Sequence, residues 1–164
     1  MDLVVGRVYA DERAEHGVHT SVLVRSGAYV IHDDGFYAGI SPLIPGRAEH
    51  PLRSAMHGWA RTVSRPEPEL ALLDAGKRDL PFDEGLPVPQ WISGADAAVL
   101  DKAAVTALND QHAFVALADG SDVSVGDVIE YGISHPCTCL DRHAILYGLD
   151  PDHSVTTAYL TSFG

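Results

Sequence analysis

Little in this sequence is basic. Against 23 Asp and Glu stand only 11 Lys and Arg, for a formal net charge of −12 over 164 residues. No cluster of Lys or Arg interrupts the negative charge, which argues against nucleic acid and anionic membrane surfaces as partners. Long hydrophobic runs are missing too, so nothing approaches the length of a bilayer span. The opening Met1-Asp2-Leu3-Val4-Val5-Gly6-Arg7 lacks the basic region and apolar stretch of a signal peptide, and the expected location is the cytoplasm. Cysteine is nearly absent. Cys137 and Cys139, the only two, stand two residues apart, where an internal disulfide would be strained. They read as reduced thiols, either chemically active or simply buried. Lysine is as scarce, with only Lys77 and Lys102.

What is present is 46% hydrophobic residues, enough for one ordinary core plus an appendage. Ser21 to Val24 reads as a buried strand that ends in a loop at Arg25-Ser26-Gly27, and Val4 to Glu15 as a short helix. Three prolines and Gly46 between Ser41 and Pro51 mark a linker or long turn. Beyond it, Trp59 to Ser64 suggests a strand stopped by Arg65-Pro66-Glu67-Pro68-Glu69, because proline donates no ladder hydrogen bond. Leu70 to Leu73 resumes a strand, and Leu80 to Gly94, with Pro81, Pro87 and Pro89, reads as an irregular surface excursion. Further strands are expected at Ala103 to Leu108, Ala113 to Ala118, Asp127 to Ile133, His143 to Leu149 and Val155 to Leu160. Turn signals separate them at Asp119-Gly120, Val125-Gly126-Asp127 and Asp150-Pro151-Asp152. This pattern predicts a mainly β chain, with the tail of an α/β unit at residues 1–47 and a small antiparallel β-domain at 48–164.

His135-Pro136-Cys137 is the strongest chemical signal. In a strand, residues two apart share a face, so His135 and Cys137 would present an imidazole and a thiol side by side. Both are good zinc donors, and two protein ligands would leave open positions, the catalytic rather than the structural pattern. The bland alternative is a half-buried histidine beside small thiols. Cys139, Asp141 and His143 continue the alternation as candidate third ligands, or equally as core, turn and surface residues.

Five segments in order resemble one family: Arg25 to Asp33 (RSGAYVIHD), Asp74 to Asp79 (DAGKRD), Leu108 to His112 (LNDQH), Val125-Gly126-Asp127, and Ser134 to Thr138 (SHPCT). Together they are similar to the C-terminal part of D-serine dehydratase-like enzymes, across nearly the whole chain from about Val22. That resemblance implies a (β/α)8 fold-type III barrel that binds pyridoxal 5'-phosphate, followed by a metal-carrying β-domain. It implies zinc on His135 and Cys137, cofactor phosphate on the amides of Gly27 and Ala28 with Tyr29 adjacent, and a D-amino acid as substrate. In such enzymes a barrel lysine forms the Schiff base with the cofactor, and zinc activates the β-hydroxyl as leaving group, giving a keto acid and ammonia. His112 resembles an acid-x-His element of the family and either faces the active site or simply starts a strand. A homodimer is the expectation for the intact enzyme.

Two departures stand out. The Schiff-base lysine's Arg-Pro-His-x-Lys-Thr context is absent, and Lys77 reads instead as a β-domain residue, so the chain is expected to be an inactive portion of a longer enzyme. Cys139 replaces what is more often a hydroxyl residue. The rival readings are a D-threonine aldolase-like lyase, which would carry an acidic residue two after the metal histidine, and a zinc-binding β-module without chemistry.

Overall fold

The computed structural model describes residues 15, 17, 27–94, 100 and 102–163. The helix expected from Val4 and the strand at Ser21 to Val24 lie outside the described residues, apart from Glu15. A short 3-10 turn, Ala28–Val30, and a helix, α1 (Phe36–Ile40), precede the sheet strands β1 (His57–Glu67), β2 (Leu70–Leu73), β3 (Val88–Ile92), β4 (Ala104–Leu108), β5 (Ala113–Ala116) and β6 (Val128–Gly132). A second helix, α2 (Pro136–Leu140), leads to a hairpin of β7 (Ile145–Leu149) and β8 (Val155–Leu160). The fold is mainly β, as the alternation of turns and short apolar runs predicts.

The large sheet is antiparallel throughout, in the order β3-β6-β1-β2-β5-β4, and its two edge strands approach each other, so it curls toward a barrel. Period-two alternation explains the interior: on β1, Ala60 and Thr62 point in while Trp59 and Arg61 point out. Small residues, Ala60, Ala71 and Ala113, alternate inside with Leu73, Val115, Ile129 and Tyr131, which lets a tightly curled sheet fill its own centre. Gly58 belongs to the same packing, since a Cβ there would collide with the Tyr131 ring.

Two strand expectations need correcting. The prolines after Ser64 do not stop β1, which continues to Glu67, because the β1–β2 register slips between Thr62 and Ser64 and again between Ser64 and Glu67. Pro66 therefore falls in an irregular stretch where no regular ladder bond is forfeited. Residues 80–94 are not wholly irregular either, since β3 runs through Pro89. It is an edge strand with a register shift between Pro89 and Trp91, the setting that tolerates proline.

The β7–β8 hairpin is a separate two-stranded sheet, tied to the large one through His153 in its turn, which meets Trp59 and Trp91. One of its faces, Ile145, Tyr147, Leu149, Val155, Ala158 and Leu160, is exposed and uncharged.

Candidate functional site

β6 ends at Gly132 and passes into Ile133 and Ser134, both almost fully buried, before the chain turns at His135. His135 is extended (φ −152°, ψ 103°), as a residue before proline prefers, and Pro136 opens α2, where its missing N–H costs nothing. This corrects the expected geometry. The strand does not run on through Cys137, so His135 and Cys137 are not alternate residues of one strand: His135 is a helix cap and Cys137 lies in the first turn.

The orientation of His135 comes from elsewhere. Its Nδ1 lies 2.6 Å from Oδ2 of Asp83, whose other oxygen accepts a 2.7 Å bond from the Thr138 hydroxyl. One carboxylate thus grips both the cap and the first turn of α2. Burial alone would raise the Asp83 carboxyl, but the bonds from Thr138 and His135 outweigh it and hold it below the usual range. The Asp83 loop is itself anchored: the Ser134 hydroxyl donates to Gly85 O at 2.6 Å, Leu80 and Pro81 are buried, and the exposed Phe82 ring is met by the Lys77 and Arg142 cations. Nε2 of His135 has no partner among the described residues.

The neighbouring candidates separate clearly. Cys137 is exposed, whereas Cys139 is buried and its thiol is pushed up to about 11, mainly by that burial. His143 donates from Nε2 to Asp79 O at 3.0 Å, and its own carbonyl accepts from Thr161, which makes it a strut between segments. Lys77 lies in the turn after β2, with its amide on Asn109 O. His112 is exposed just before β5. No group of three or more His, Cys, Asp and Glu is arranged for a metal among the described residues.

At the other candidate position, Gly27 precedes the 3-10 turn and nothing lies within 4 Å of where its Cβ would be, so the described packing does not itself require glycine there. Within the described residues the amides of Ala28 and Tyr29 make no hydrogen bond, and Tyr29 is exposed. The segment that follows docks on the sheet end. Asp33 is fully buried, with one carboxylate oxygen on the amides of Gly35 and Tyr37. Asp34 N donates to Ile133 O, and a Cβ on Gly35 or Gly132 would strike Ser134 or Asp34 respectively, so the two segments interlock through glycine.

Beside this joint sits a cluster that the spacing did not announce. His57 lies 3.5 Å from Asp34 through Nε2 and 3.4 Å from the buried Glu130 through Nδ1, long for hydrogen bonds but within ion-pair range. Asp34 most of all raises the His57 pKa, against the opposing effect of burial, with Glu130 adding to the rise. Trp59 and Trp91 flank Glu130 on the adjacent strands, and both meet His153 edge to face. Asp83 and Glu130 are the residues that sequence reasoning missed, because each acts across strands rather than within a motif.

A family model described as "Putative serine dehydratase domain" matches residues 55–149. The chain belongs to this family. Serine dehydratase-domain likeness extends to solved structures: D-threonine aldolase from Filomicrobium marinum (24% identity, TM-score 0.67, covering 82% of this chain and 34% of that one) and D-threo-3-hydroxyaspartate dehydratase from Delftia sp. HT23 (20%, 0.60, 86% and 39%). Two variants of a D-threo-3-hydroxyaspartate dehydratase also match. One has a cysteine replaced by alanine and is in the metal-free form (18%, 0.53, 68% and 33%); the other has a histidine two positions earlier replaced by alanine (17%, 0.52, 68% and 32%). At these identities the likeness shows the fold. The domain spans about a third of the length of the structures it matches, and no curated protein matches it. These neighbours are named as an aldolase of D-threonine and a dehydratase of D-threo-3-hydroxyaspartate.

Proposed function

We propose that this domain is the C-terminal, zinc-binding part of a pyridoxal 5'-phosphate-dependent D-amino-acid ammonia-lyase of the D-serine type. The observation that carries the reading is His135, with Nδ1 on a carboxylate, Nε2 without a partner among the described residues, and the exposed Cys137 thiol two residues on. Imidazole nitrogen and thiolate are zinc donors, and a carboxylate behind the histidine is the usual support of such a ligand. The donors therefore fit the metal. The variants of the hydroxyaspartate dehydratase support the reading, since their histidine and cysteine have the same spacing. When bound, zinc would supply Lewis-acid stabilisation of negative charge on a departing oxygen. His135 and Cys137 would hold it, and Asp83, bonded to His135 and Thr138, would fix the first turn of α2.

The amides of Ala28 and Tyr29, without a hydrogen bond among the described residues, fit an anionic group, and we assign the cofactor phosphate to Gly27, Ala28 and Tyr29. Cys137 in place of an acidic residue is the reason for preferring elimination over the aldolase reading. We further propose that the intact cytoplasmic enzyme is a homodimer, which sedimentation of the full-length protein checks.

The test is activity. The isolated chain, supplied with zinc and pyridoxal phosphate, should make no keto acid from D-serine, because Lys77 lies in the turn after β2. In the intact enzyme, Cys137→Ala should lower turnover on the order of a hundredfold or more while sparing the cofactor's absorption band. Unchanged turnover in a zinc-free variant removes the metal from the reaction, and keto-acid production by the isolated chain that Lys77→Ala abolishes overturns the assignment of this lysine.

A further inference from the structure

A histidine ring has two nitrogens, and in the neutral ring only one of them offers a lone pair. Which one it is depends on the partner of the other. In this domain the partner comes from 52 residues away. Asp83 Oδ2 takes the Nδ1 side of His135 at 2.6 Å, a short contact of the charge-assisted kind, and Oδ1 takes the Thr138 hydroxyl at 2.7 Å. An ionised carboxylate can only accept, so Nδ1 carries a proton, and in the neutral ring the lone pair is then on Nε2. The Asp83 loop is anchored on both sides: the Ser134 hydroxyl holds Gly85, and the Phe82 ring meets Lys77 and Arg142.

We propose that Asp83 is the positioning residue of this site, fixing His135 in the tautomer and orientation that make Nε2 the outward donor, with Thr138 holding the carboxylate in register. This rests on the zinc reading for its consequence but not for its geometry. Two measurements keep them apart. The first needs no metal: nitrogen-detected NMR of the histidine rings in the purified chain, with the ring neutral, should show His135 protonated on Nδ1. In Asp83→Ala the proton should move largely to Nε2, with the circular dichroism unchanged. The second is titration with Co(II) as the probe, read by its thiolate charge-transfer band. Asp83→Asn should keep the band and weaken affinity about 10- to 100-fold, and Thr138→Val should weaken it less.

An unchanged His135 tautomer in Asp83→Ala overturns the proposal, as does a Co(II) affinity in Asp83→Asn equal to that of the unaltered chain. A tautomer that shifts in a chain that takes up no Co(II) upholds Asp83's hold on the ring and overturns the zinc reading instead.

Discussion

Two histidines in this domain are gripped by carboxylates, and they are opposite in character. His57 has a carboxylate at each ring nitrogen, Asp34 on one side and Glu130 on the other. His135 has one carboxylate on one nitrogen, and its second nitrogen is without a partner among the described residues. The first arrangement favours an imidazolium and leaves no lone pair to offer. The second occupies one nitrogen and leaves the other without a partner among the described residues. The same side chain is thus a clamp in one place and a ligand candidate in the other, and the number of acceptors around it makes the difference.

Replacing the outward donor should have the largest effect. His135→Ala should weaken metal uptake by the domain on the order of a hundredfold or more, beyond the loss from a supporting carboxylate alone, with little change in melting temperature. Metal titration beside a thermal melt checks both halves, and equal losses in His57→Gln would erase the contrast.

The joint beside the clamp comes next. Gly132→Ala should destabilise the domain by about 1–3 kcal/mol, since the added methyl meets the Asp34 side chain and pushes it off His57. Chemical denaturation measures this.

The smallest effect separates the histidines by pH. His57's folded pKa is raised above 6.5, so its contribution is fully present below 6.5 and is lost as pH rises through the folded value. Asp34 is held below 3.8, mainly by His57 acting against the opposing cost of burial, so its contribution is present above 3.8 and lost as pH falls. Stability attributable to the clamp should therefore be greatest between these limits. In His57→Gln the decline on the alkaline side, at most about 1.4 kcal/mol per pH unit for one proton, should flatten. A decline of the same slope in the variant would assign it to another group.

Most of the sheet was legible because period-two alternation and turn residues are local signals. β2 and β8 fall within the expected limits to the residue. Prolines misled in both directions for one reason: a missing N–H matters only where the ladder would have used it, and bulges and edges are set by neighbouring strands that spacing does not reveal. His135 and Cys137 were legible as a pair, but the end of the strand at His135 was not, although the pre-proline bias was there to read. Asp83 stood in a stretch that looked like surface excursion. Nothing in the sequence beside it announces a contact with His135, 52 residues on, and the same holds for Glu130 and His57, which meet only because β1 lies against β6.

The distance between Asp83 and His135 along the chain also bears on how the domain is assembled. The donor pair His135 and Cys137 exists as soon as three residues are synthesised, whereas the carboxylate that orients it arrives only after a loop of about fifty residues closes, an event whose entropic cost grows with loop length. On the zinc reading, a chain still folding would therefore offer metal a flexible imidazole with either nitrogen free to coordinate, and only the closed sheet would select one. Long-range contacts of this kind form late and slowly. On the zinc reading, selective metallation would then wait for the pairing of β3 with β6 and of β6 with β1 to bring Asp83 to His135.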